Sequence, residues 1–360
     1  MKKGNLTVKH SISFLCITLY IILLLFVSCG EKQKSISKAS VEDKFELNSN
    51  LKTSKKLKVI FDTDANNELD DQHALAYLLF NDSNFKTLGV TVNATVNGGE
   101  LVNHYKEAQR ILKLCNKEEI QLINGADKDF KTIKNTIDNP NYDGQEAVDF
   151  LLNETKKDSV IIIAVGKLTN VALALKKDPT FAERTKIVWL GSNYPNPGEY
   201  NQENDTIAMN YVLNSSIPFE MVTVRYGKPS GTDAVGVSVH EINKRMPGKG
   251  PTANETVIGR HDGMFKNFGD YSVSLFKNIE AHDGESYTRA LFDMVAVAIL
   301  KNPEWGQSKT IATPIFIDGK WVERPNNSRK IKLWENFKKE ALLTDFFNTM
   351  ENATPTLNAN

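Results

Sequence analysis

Two hydrophobic rhythms alternate along the chain from residue 57 onward. The runs KVIF, LGVTV, IQLI, VIIIAV, KIVWL and FEMVTV are short and nearly unbroken, several with the continuous hydrophobicity of strands covered on both faces. Between them apolar residues recur at helical spacing, which predicts helices around residues 71–80, 99–115, 144–157, 168–177 and 205–214. Strands alternating with helices imply an α/β fold built on a mainly parallel, doubly wound sheet. In such sheets ligands bind beyond the carboxyl ends of the strands. Reactive side chains are therefore expected just after strands.

No repeat and no Pro/Gly/Ser-rich break divides residues 57–348, so one domain is expected there. Residues 228–270 are rich in Gly and Pro and are expected to form mobile loops over the site. The polar residues 349–360 are expected to be a disordered tail.

The N-terminal segment follows a different pattern. Met1, Lys2 and Lys3 precede an apolar run over residues 12–27 that ends in Ser28 and Cys29, the layout of a signal peptide spanning residues 1–28. FVSC followed by Gly30 resembles the lipobox of bacterial lipoproteins, in which the cysteine carries the lipid. An uncleaved signal anchor is the alternative, and the shortness of the run argues against it. Residues 29–56 hold too few apolar side chains for a core and read as a flexible tether. The expectation is an exported protein, anchored by a lipid on Cys29 to a bacterial membrane, the outer one.

Composition narrows the partners. The 44 basic and 44 acidic side chains cancel, so no global field draws in nucleic acid. Cys16 and Cys29 lie in the leader, which leaves Cys115 alone in the body of the chain, where its amphipathic surroundings make it a small buried hydrophobe.

The densest chemistry follows the first strand. KVIF runs into DTDANNELDDQHALAYLL, which brings Asp62, Asp64, Asp70 and Asp71 together between a strand end and a helix start. Carboxylates this crowded must be protonated, hydrogen-bonded or neutralised, and an all-oxygen set favours Ca²⁺ or Mg²⁺. Helix capping by Asp70 and backbone bonding by Asp62 are the purely structural alternatives. An EF-hand loop fails, because Asn67 stands where that loop needs Gly and His73 where it needs Glu. A phosphohydrolase of the haloacid dehalogenase type is a rival that Asn66 weakens.

The string resembles the N-terminal signature of the inosine-uridine preferring nucleoside hydrolase family, DTDPGxDDAxAL, with two extra residues between Asp64 and Asp70. Three other segments resemble that family in order: IIIAVGKLTNVALAL with its GPLTNIA, WLGSNYPNPGEYN with its sugar-binding loop, and RALFDMVAVAIL with its HD-PLAVA. The resemblance implies a nucleoside hydrolase-like fold and a calcium-dependent N-ribosyl hydrolase acting on a nucleoside or related N-riboside. It implies that Asp64, Asp71, Asp293 and the main-chain carbonyl of Val165 hold Ca²⁺, and that Asp64 takes the proton of the attacking water. Asp70, Asn193, Glu199 and Asn201 would grip the ribose, with Asn97 a further sugar contact and Asp62 orienting the loop. Helix capping is the expected main task of Thr169 and Asn170.

Phe292 stands where many members carry the histidine that protonates the leaving base. His261 and Tyr271, in the expected loop region, are the candidates to replace it. A calcium-dependent nucleoside- or sugar-binding lipoprotein without catalysis is the alternative from another class. The leaving base and a homo-oligomeric state are left open.

Overall fold

The computed structural model describes residues 56–279 and 287–353. The signal peptide, Cys29, the tether as far as residue 55, and residues 354–360 lie outside the described residues. Six parallel strands carry the fold: β1 (Leu57–Thr63), β2 (Phe85–Val92), β3 (Gln121–Asn124), β4 (Val160–Ala164), β5 (Thr185–Leu190) and β6 (Phe219–Val222). Across the sheet they run β6-β5-β4-β1-β2-β3. Chain order thus reverses between β1 and β4, which pair in register from Val59 with Ile161 to Asp62 with Ala164. The crevice of a doubly wound sheet opens at such a reversal.

Alternation along β1 explains why both of its faces are apolar. Val59 and Phe61 enter one core with Ile161 and Ile163 of β4, whereas Ile60 and Ile162 enter the core on the opposite face. The first core is roofed by the helices Asp70–Phe80, Leu101–Leu114, Phe292–Lys301 and Lys339–Glu351, and the second by Gln145–Lys157, Thr169–Lys177 and Thr206–Leu213. Cys115 is free and buried in the first core. Each helix seals one face of the sheet, so the strand ends alone remain open for chemistry.

Three sequence expectations are corrected. Residues 228–270 are not loop throughout: they contain a strand Gly236–Ser238, a helix Val239–Arg245 and a hairpin formed by Val257–Ile258 and Met264–Phe265. Helix Val239–Arg245 has a capping box, in which Ser238 and Glu241 satisfy each other's free backbone groups. The fold also passes the expected boundary at 348, because helix Lys339–Glu351 buries Met350. Finally, the sheet has two more strands beyond β6: Lys330–Glu335 pairs parallel with β6, and Gln307–Ala312 closes the edge antiparallel to it. QSKTIA has no hydrophobic run to betray it, since an edge strand is kept polar to discourage pairing with other chains. Among the described residues no helix is long and apolar enough to cross a membrane.

Candidate active site

The strand order delivers the carboxylates to one place. Asp62 and Thr63 end β1, Asp64 follows them, and the helix Asp70–Phe80 begins with Asp70 and Asp71. That helix packs on Phe292–Lys301, whose first turn holds Asp293. Two helix N-termini therefore converge, each turning unpaired N–H groups toward the carboxylates, an arrangement that favours negative charge. Asp70, Asp71 and Asp293 each offer an oxygen within 4.8 Å of the others, and all three are buried. Asp70 begins the helix without capping it, since Leu69 is the N-cap residue.

Asp64 lies just behind this trio with no exposure to solvent. One of its oxygens accepts from the Thr95 hydroxyl at 2.5 Å and the Asn67 amide at 2.9 Å, while Oδ1 has no hydrogen-bond partner. Gly166 makes room for it: a Cβ there would stand 3.0 Å from Asp64 Oδ1 and 2.9 Å from Asn93 Oδ1. Burial, opposed by these hydrogen bonds, pushes the Asp64 carboxyl above the usual range. Burial first, and then the neighbouring carboxylates, push Asp71 and Asp293 well above it. Asp70 is pushed up to about 7 by burial, with Asp64 and Glu199 adding to the effect.

An orphaned buried oxygen and three oxygens crowded at helix N-termini are what a hard divalent cation would satisfy, and the donor set fits one. The main-chain carbonyl of Val165, just past β4, accepts from the Asn201 amide at 2.8 Å and retains a second lone pair.

The trio opens into a cavity of about 260 Å³ that Val165, Glu199, Asn201, Tyr200, Tyr226, Arg289 and Phe292 also line. Glu199 caps the short helix Tyr200–Asn204, accepting backbone N–H groups from Ser192, Asn201 and Gln202. Burial pushes it to about 7 against the pull of those bonds. Asn201 spends both amide hydrogens on the carbonyls of Val165 and Leu190, leaving its oxygen as an acceptor.

Several expected residues stand elsewhere. Asn193 is outside this wall: its amide donates to the Pro197 carbonyl and its oxygen accepts from the Tyr226 N–H, which makes it a loop strut. Asn97 and His261 line a neighbouring cavity of about 480 Å³. Tyr271 lines neither, being buried with its hydroxyl donated to Glu107 at 2.6 Å, so it cannot meet a leaving group in this arrangement. Thr169 and Asn170 are not caps. The Thr169 hydroxyl binds Asp205, and Asn170 donates to Asp62 and to the Val92 carbonyl while accepting from the Ala126 N–H. Asp62, which Thr91 also binds, is thereby the knot that ties β1 to β2 and to helix Thr169–Lys177. Burial pushes it to about 6.

Sequence reasoning passed over Tyr226, Arg289 and Glu68. Tyr226 meets Phe292 edge to face at 6.0 Å, and the Arg289 guanidinium lies 5.2 Å from the centre of the Phe292 ring. Arg289 is ion-paired with Glu68 of the long Asp64–Asp70 loop. The signal for Tyr226 was its place just past β6, at the strand ends where sites form.

Comparison with known proteins agrees with this layout. The profile described as "Inosine-uridine preferring nucleoside hydrolase" matches residues 59–342. An uncharacterized protein of Schizosaccharomyces pombe is 28% identical over 193 residues, 46% of this chain and 60% of that protein. A probable uridine nucleosidase of Oryza sativa subsp. japonica is 36% identical over 89 residues, 22% of this chain and 28% of that protein. The matches thus span less than two thirds of these relatives' lengths. The solved structure of a plant nucleoside hydrolase has the same fold, with a TM-score of 0.64 at 16% identity, covering 83% of this chain and all of that one.

The raised carboxylates give the cation-free protein a defined pH response. Asp62 at about 6 and Asp70 and Glu199 at about 7 hold their protons more tightly folded than unfolded. Their contribution to stability is complete below the unfolded value near 4 and is lost as pH rises through 6 to 7. In EDTA, urea unfolding should show stability falling as pH rises from about 4 to 7, and a saturating divalent cation should flatten the curve. A curve that is already flat in EDTA would mean that these groups ionise freely.

Proposed function

The chain belongs to the inosine-uridine preferring nucleoside hydrolase family, and from that premise we propose that it hydrolyses the N-glycosidic bond of a ribonucleoside or related N-riboside with Ca²⁺ in its carboxylate cluster, giving ribose and free base. The observation that carries this reading is the meeting of Asp70, Asp71 and Asp293 on the wall of a cavity that Glu199 and Asn201 share.

Asp71, Asp293, Asp64 and the Val165 carbonyl would hold the cation. When bound, it would offset the buried negative charge and lower the pKa of a water in its coordination shell. Asp64 serves as both ligand and base: Thr95 and Asn67 fix one of its oxygens, and the carboxylate accepts the proton of the water that attacks C1′. Asp70 and Glu199 accept from ribose hydroxyls, and the Asn201 oxygen does the same because its N–H groups are already committed. Positive charge developing on the sugar ring is stabilised by these surrounding carboxylates. We also propose that Cys29 carries a lipid that fixes the exported protein to a membrane, on the strength of its FVSC context.

Incubation with uridine or inosine should release reducing ribose, and release of inorganic phosphate or of nothing would defeat the reading. Asp71→Ala or Asp293→Ala should lose bound calcium, measured by atomic emission, together with ribose release. Equal calcium in wild type and variants would remove both residues from the metal site. Asp64→Asn keeps an oxygen ligand but cannot accept a proton, so kcat should drop by about 10²–10⁴-fold with little change in affinity for free ribose. Unchanged turnover would take Asp64 out of the chemistry. Replacing Cys29 by Ser should abolish labelling with radioactive palmitate and free the protein from the membrane fraction. Persistent labelling would place the lipid elsewhere.

A further inference from the structure

We propose that Arg289 is the leaving-group residue, a fixed cation that takes the place of a proton donor and selects ribosides whose aglycone departs as an anion over those, such as pyridinium ribosides, whose aglycone departs neutral. The inference rests on the N-riboside reading above.

Among the described residues Arg289 is the single basic side chain on the wall of the inner, carboxylate-bearing cavity. It also lines the larger cavity next to it, and Asn67 and Glu68 are the other residues common to both walls. A substrate with its sugar among the carboxylates and its aglycone in the outer cavity passes the scissile bond across that shared wall. The guanidinium is set there by three contacts. Its backbone belongs to the strand Thr288–Ala290, paired with Val237 opposite; its planar group lies over Phe292; and Glu68 pairs with it. Phe292 itself offers no proton. His261 lines only the outer cavity, where its ring accepts from Arg260 at 3.0 Å.

In the step itself the C1′–N bond breaks with its electron pair passing to the base nitrogen. The water oxygen bonds to C1′, and its proton passes to Asp64. The base leaves as an anion hydrogen-bonded to Arg289, exchanged for Glu68, and later takes a proton from solvent. Arginine does not surrender a proton at working pH, so it acts as a donor and a charge rather than as an acid. A pyridinium aglycone carries positive charge before cleavage and gains nothing from this cation.

The test compares uridine with nicotinamide riboside in wild type, Arg289→Ala and Arg289→Lys, with melting temperature and bound calcium checking the fold of each. Arg289→Ala should lower kcat/KM for uridine by about 10²–10³-fold and leave nicotinamide riboside unchanged or faster. Guanidinium ion at millimolar concentration should restore part of the uridine rate alone, and Arg289→Lys should fall between wild type and Ala. An equal loss on both substrates with no rescue by guanidinium would overturn the assignment. A wild type that hydrolyses neither riboside would instead overturn the N-riboside reading, and this inference with it.

Discussion

Buried carboxylates resist sharing one space, and this protein gathers six of them around the end of its first strand. Asp62, Asp64, Asp70, Asp71, Asp293 and Glu199 are all buried. Desolvation penalises every ionised form, and proximity adds repulsion to it. Much of the surrounding architecture answers that cost. Two helices present their N-termini, backbone N–H groups hold Glu199, hydroxyls from Thr63, Thr91 and Thr95 bind three of the aspartates, and one arginine stands on the cavity wall. A cation is the remaining remedy that the oxygen set invites. The cost is set against the apolar burial of two large hydrophobic cores.

The sheet was legible because its central strands are buried on both faces, and nothing but an unbroken apolar run satisfies that position. The strands β1 to β6 and the five expected helices fall where the hydrophobic rhythms put them, whereas the short helices Phe130–Ile133 and Tyr200–Asn204 and the further parallel strand Lys330–Glu335 were not foreseen. The antiparallel edge escaped notice, because a strand exposed as Gln307–Ala312 is carries no such signature. Residues 228–270 misled for a related reason. Their Gly and Pro mark turns between short elements, and a three-residue strand or a seven-residue helix is too brief to establish a period.

The gathering of carboxylates was legible because carboxylates in apolar surroundings are hard to explain otherwise, and Asp293 is the plainest case. Polar amides were harder. Asn193, Asn170 and Asn201 look alike in sequence, but one props a loop, one ties three elements together and one lines the cavity while its amide holds two carbonyls. Only the geometry of donors and acceptors separates these roles. The long Asp64–Asp70 loop is not slack either. Asn66 is bound to the Gly98 carbonyl and to Arg260, Asn67 to Asp64, and Glu68 to Arg289.

Asn201 joins two strand ends through one amide, since its N–H groups clasp the carbonyl of Val165 just past β4 and that of Leu190 at the end of β5. Any occupant that pulls on the Val165 carbonyl thereby acts on the residue that would receive the sugar. Linkage of this kind is reciprocal: whatever factor cation occupancy adds to sugar affinity, sugar occupancy must return to cation affinity. On the proposed reading, the cation and the sugar therefore share one coupling free energy, the same whichever of them binds first.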